Sequence, residues 1–182
     1  AANQQPDQQP WATLFSKSPD EQGLLAIAND PEAESRVRNL ASFRLLEAGS
    51  ALRPQPALHG VVIEVGMEEG LDTLAAFADG TARYLNYAGH AIVWETPTEQ
   101  SNAMIQDLWQ HSINVVNQIG PWDKGRLAPP ATGTVRLSFL VSGQLFFGQG
   151  PMDVFFRDPM AGPVLNSATQ LMVFLTNYSA KK

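Results

Sequence analysis

Cysteine is missing from all 182 residues of the chain. That absence removes disulfides, thiolate nucleophiles, Fe–S clusters and most structural zinc sites together. Histidine is nearly as scarce, with His59, His90 and His111 as the whole supply. None belongs to a His-x-x-x-His or Glu-x-x-His pair, so a metal site would have to be assembled from distant carboxylates. Positive charge is thin as well: twelve Lys and Arg stand against eighteen Asp and Glu, for a net charge of −6. Those twelve are scattered apart from Arg36, Arg38 and Arg44, whereas tracking a phosphate backbone needs clustered cations, so no nucleic-acid partner is expected. No run approaches the ~18 apolar residues of a membrane span, and no span is expected. A Gly-x-Ser-x-Gly elbow is absent. The Gly148-x-Gly150 pair runs into Pro151 and a strand-like segment rather than a phosphate-holding helix, and reads as a tight turn. No cofactor is expected.

What remains suits a globular chain with 44% hydrophobic residues, long enough to bury roughly 70% of its unfolded surface. The opening Gln/Pro tract "AANQQPDQQP" has nothing to pack, so residues 1–10 read as a disordered tail and residues 11–182 as a single domain. The compartment stays open between the cytoplasm, which we favour, and a location reached through a cleaved upstream signal.

Hydrophobic periodicity and turn residues set the expected elements. Ser18-Pro19-Asp20-Glu21 reads as a capping box opening a short helix, and Asp30-Pro31 as the start of a longer one with Val37, Leu40, Ala41, Leu45 and Ala48 on one face, ended by Gly49. A four-stranded meander follows from Val61 to Glu95. Thr96-Pro97-Thr98-Glu99 reads as a second capping box, with Thr96 as cap of a helix over 97–119 whose stripe is Ile105, Leu108, Trp109, Ser112, Val116 and Ile119. Three more strands, 134–141, 144–148 and 152–157, and a final helix over 163–177 complete an α+β fold of order α-α-ββββ-α-βββ-α. Apolar residues fall on both faces of the expected sheet, so either helices cover both or a partner covers one.

Within the meander, Asp79-Gly80 predicts a two-residue type I′ turn, followed by a strand from Thr81, a turn at Ala88-Gly89 and a return strand from His90. Residues 79–95 resemble one unit of the WG-type β-hairpin repeat, in the succession Asp-Gly, aromatic, Asn, Gly, apolar strand. The resemblance stops there, without tandem copies, and implies a hairpin rather than membership of a family. A second echo links Gly80-Thr-x-Arg with Gly133-Thr-x-Arg, each followed by a glycine turn. Convergent hairpin chemistry accounts for it more simply than duplication.

Two candidate sites emerge. The loop carrying Trp122, Asp123, Lys124 and Arg126 sets an aromatic plate beside cations, a combination suited to carboxylate, phosphate or planar ligands. Tyr84, Tyr87, His90 and Trp94 offer a possible groove wall. Glu64 is singular as a carboxylate in the middle of an apolar strand, while Glu68, Glu69 and Asp72 read as a solvated turn. With no activated nucleophile in view, the expected function is a non-catalytic interaction, regulatory or sensor module. Such a module self-associates or binds a protein partner through an apolar sheet face, and its element order is analogous to profilin-like, roadblock-like and PAS-like adaptors. The alternative is a small-molecule-binding protein or small enzyme that uses the 122–126 loop with carboxylates of the meander.

Overall fold

The computed structural model describes residues 8–18, 20–125 and 127–179, so residues 1–7 of the expected tail lie outside it. Three helices come first, α1 (Trp11–Leu14), α2 (Glu21–Asn29) and α3 (Ser35–Glu47), then four strands, β1 (Leu58–Met67), β2 (Gly70–Phe77), β3 (Ala82–Leu85) and β4 (Ala91–Trp94). Helix α4 (Glu99–Val116), strands β5 (Thr134–Val141) and β6 (Gln144–Pro151), and helices α5 (Met152–Arg157) and α6 (Ala161–Ser179) follow. The fold is α+β, with helices packed on a six-stranded antiparallel sheet of order β4-β3-β2-β1-β5-β6. Two compact units make it up: the chain through His59 with Leu140–Gln144, and Gly60–Phe139 with the chain from Leu145 onward.

In the first unit, Leu14, Leu24 and Ala28 cluster with Val37, Ala41 and Leu45, which recur every fourth residue along α3. The cap of α2 is Asp20, whose carboxylate accepts from the backbone N–H groups of Gln22 and Gly23. Helix α3 begins at Ser35, later than expected, because Asp30 accepts from the Glu32 N–H and closes a separate turn.

In the second unit, register determines which side chains share a face. Val61, Ile63, Leu74, Ala76, Ala82 and Trp94 align across β1 to β4, and with Val135, Leu137 and Phe139 of β5 they form the buried side. Helices α4 and α6 cover it with Ile105, Leu108 and Val115 and with Val164, Leu165, Ala168, Leu171 and Leu175. Each large aliphatic side chain so buried stabilises by about 1.5–3 kcal/mol relative to exposure. Trp94 meets α6 edge-on, 5.4 Å from Phe174 and 4.8 Å from Tyr178 between ring centroids. The opposite face carries Val62, Glu64, Thr73, Ala75, Arg83, Leu85 and Val93 in the same cross-strand rows.

Several local expectations change. Residues 152–157 form α5 instead of a seventh strand: Pro151 ends β6 and caps the helix, and Phe155 turns back onto Gly148 and Gly150, where a Cβ at Gly150 would come within 2.5 Å of its ring. The cap of α4 is Thr98, not Thr96. Its hydroxyl accepts from the Ser101 N–H at 3.1 Å and the Ser101 hydroxyl accepts from the Thr98 N–H at 2.8 Å. The helix is therefore shorter than 97–119, and Val115 rather than Val116 turns inward. Asp79-Gly80 is not a type I′ pair either, since the Phe77 N–H donates to the Thr81 carbonyl across a three-residue loop in which Gly80, and not Asp79, takes positive φ. Two adjacent residues of positive φ occur instead at Ser142-Gly143, between β5 and β6.

Candidate functional site

The loop between α4 and β5 is laid against the edge of the sheet. Trp122 donates its backbone N–H to the Leu145 carbonyl of edge strand β6 at 2.7 Å, sets its ring edge-on to Phe147 at 4.7 Å, and donates its indole N–H to the Gly125 carbonyl at 3.1 Å. It is half-buried. Lys124 sits over its ring, 5.4 Å from the centroid, while Asp123 is exposed. Arg126, expected beside them, lies outside the described residues.

The group that organises this region is Arg136, in the middle of β5. Its Nε donates to Gln149 Oε1 at 2.8 Å, one Nη to Glu64 Oε2 at 3.4 Å, and the other to the Ala128 carbonyl, while the guanidinium lies 5.8 Å from the Phe147 centroid. Lys124, Trp122, Phe147, Arg136 and Glu64 thus form one ladder of cations, rings and a carboxylate. Only 5% of the Arg136 side chain and 13% of the Glu64 side chain are exposed. Each guanidinium nitrogen is engaged, so the arginine joins β1, β5, β6 and the loop at one point, the arrangement that makes a buried charge tolerable. The loop's far end is held too: the Gly133 N–H donates to the Gly66 carbonyl at 3.0 Å, and a Cβ at Gly66 would fall 2.1 Å from the Ala131 carbonyl oxygen. Sequence reasoning singled out Glu64 but missed Arg136 and Gln149. The available signal was an arginine inside the alternating Thr-Val-Arg-Leu-Ser-Phe of a strand.

The possible groove wall is dispersed. Trp94 is buried under α6, and its indole nitrogen has no hydrogen-bond partner. Tyr84 lies on the same sheet face and donates to Asp72 Oδ2 at 2.9 Å; burial first, then this carboxylate, push its phenol up to about 12. Asp72 Oδ1 accepts from the Tyr87 N–H at 2.8 Å, tying the β3–β4 turn to β2, while Tyr87 and His90 are exposed.

His59 is buried in the first unit with Nε2 unpartnered, and desolvation, aided by the positive charge of Arg38, brings its pKa down to about 4. It is a neutral imidazole at physiological pH. His111 Nε2 stands 3.7 Å from Asp107 Oδ1, and Asp107 Oδ2 accepts from the Ser167 hydroxyl at 2.5 Å. The carboxylate is the middle member of this trio, whereas nucleophilic catalysis needs the imidazole there to take the hydroxyl proton. Among the described residues, no group of three or more His, Asp or Glu is placed to hold a metal ion. A groove of about 560 Å³ between α4 and α6 is lined by Gln100, Met104, Gln170, Val173, Phe174 and Tyr178 among others, none of them a strong acid or base. Compared with protein-family models, curated proteins and solved structures, the chain matches none.

Proposed function

We propose that this chain is a non-catalytic interaction module that engages a protein partner across the sheet face opposite α4 and α6. The observation that carries the reading is Val93 and Leu85, 60% and 46% exposed on that face. They are diagonal neighbours on paired strands, since Val93 stands opposite Arg83 and Leu85 opposite Ala91. Val62 and Ala75 extend the row inward, and Arg83, paired with Glu95 at 2.6 Å, supplies the arginine often found at partner-binding surfaces. The alternative, a ligand site or small enzyme on Trp122, Asp123, Lys124 and Arg126, draws less support. Trp122 is committed to Phe147 and Lys124, and the buried arginine nearby spends its nitrogens on the protein itself.

A photo-crosslinking residue at position 93, introduced in the cells that make the protein, tests this. It is expected to capture one discrete polypeptide, and Leu85→Glu to abolish the capture. A product no different from that formed from an exposed position such as Gln118 would overturn the reading. So would a small-ligand thermal shift that Lys124→Ala removes.

A further inference from the structure

We infer that the outer surface of the α4–α6 layer is a self-association surface, on which two copies of this chain pack helix layer to helix layer. This surface is separate from the partner face proposed above. Its first mark is a lack of charge. Across its length α6 has no Asp, Glu, Lys or Arg, and α4 has only Glu99 and Asp107, in a chain that is 16% charged overall. Asp107 is already engaged by Ser167. A depletion of charge on an exposed surface is the compositional trace of an interface centre.

The second mark identifies the occupant. Two copies, each with a net charge of −6, repel least where the fewest charges meet, and across α4 and α6 the only formal charges are Glu99 and Asp107. A charged partner would find no complement there. The exposed polar groups are largely amides, Gln100, Gln106, Gln170 and Asn177 among them. An amide both donates and accepts, so across a twofold axis it is its own complement. Between them lie apolar side chains: Val173 is 45%, Ile113 42% and Tyr178 39% exposed, with Met104 and Phe174 in the groove.

The dimensions agree. Gln100 and Met104 adjoin Val173 to Tyr178, whereas His111 to Gln118 adjoin Pro159 to Pro163, so the helices run antiparallel. With 18 and 19 residues they offer a surface about 27 Å long and about two helix diameters wide. That footprint, about 600 Å² at a helix diameter of ~10–12 Å, is somewhat smaller than the ~800 Å² per partner of a standard interface and suits a weak dimer.

Sedimentation velocity of the full chain from low to high micromolar concentration is expected to show a monomer–dimer equilibrium that added salt strengthens rather than weakens, because salt screens the repulsion between two copies of net charge −6 and there is no ion pair for it to break. Val173→Glu, at an exposed position, is expected to raise the dissociation constant about 30-fold or more without changing the melting temperature at concentrations where the parent is monomeric. Gln170→Lys should act in the same direction, and Val93→Glu, on the sheet face, should not. Because the chain has no cysteine, Val173→Cys supplies its only thiol, and a short bis-maleimide is expected to trap the dimer. A strict monomer at high micromolar concentration, a dimer that survives both Val173→Glu and Gln170→Lys, one dissolved by Val93→Glu, or no trapped dimer would each overturn the inference. Failure of the partner-face reading would appear separately, in the crosslinking from position 93.

Discussion

At the scale of single residues, the buried ionisable groups do most to define the molecule. His59 has an ordinary pKa of 6.5 in the unfolded chain and about 4 when folded. The unfolded state therefore binds a proton that the folded state refuses. The associated stability is fully present above pH 6.5 and is lost as pH falls toward 4, with an upper limit of about 3 kcal/mol. Thermal melts between pH 7 and 4 are expected to show this fall, and His59→Gln to flatten it. An equal fall in both proteins would place the acid sensitivity elsewhere. Tyr84 titrates in the other direction: its ionisation is expected late in an alkaline absorbance titration, and Tyr84→Phe should remove that late phase. For Arg136, loss of the cation strands Glu64 in a nearly closed site, so Arg136→Met should destabilise by about 3–5 kcal/mol. Glu64→Leu added to it should recover much of the loss. Trp122 fluorescence is expected to shift toward that of an exposed indole in the single variant, since the Ala128 carbonyl then loses its donor. An unshifted spectrum would mean that Leu145 and Phe147 hold the loop alone.

At the scale of elements, caps and close approaches decide where segments begin and end. Thr98→Ala should cost about 1 kcal/mol through the lost bond to Ser101, whereas Thr96→Ala should stay within about 0.5 kcal/mol. Denaturant midpoints for the two variants discriminate between the two starts of α4, and equal shifts would contradict the Thr98 cap. A capped helix start was legible in "TPTEQS", with Thr96 as the expected cap. The true one was not, because the reciprocal partner is a serine hydroxyl three residues on rather than a carboxylate, and because the core fixes the helical phase that turns Ile105, Leu108, Ser112 and Val115 inward. Helix α5 was illegible for a related reason. Val154, Phe155 and Phe156 have strand-like composition, but Pro151 and the path of Phe155 over two glycines favour a helix. Gly66→Ala tests the close approach of loop to β1: the added methyl meets backbone that has no side-chain freedom to yield, so a loss of stability well beyond the usual surface range of about 0.5 kcal/mol is expected. The Gly80 and Gly133 segments belong here as well. Each glycine takes positive φ before a strand, and each strand carries its arginine to a carboxylate, Arg83 to Glu95 and Arg136 to Glu64.

At the scale of the whole molecule, the sheet presents Val93 and Leu85 outward on a short edge region. Leu85→Glu is expected to leave the melting temperature within a few degrees of the parent while abolishing partner capture from position 93, because the side chain is already in water. A large loss of stability would show instead that the side chain is packed within the protein. By itself the amino-acid sequence determined what local physics controls: the α+β class, the meander, the long helices and their inward stripes, and the exclusion of thiol chemistry. These follow from periodicity, turn residues and composition, each readable within a window of some ten to twenty residues. Only the tertiary structure decided the pairing of Glu64 with Arg136, 72 positions apart, the docking of the 122–125 loop on β6, and the burial of Trp94 away from Tyr87 and His90. Those depend on which strands lie side by side and which face each presents, and a one-residue change of register would send every side chain to the other face without altering any local pattern.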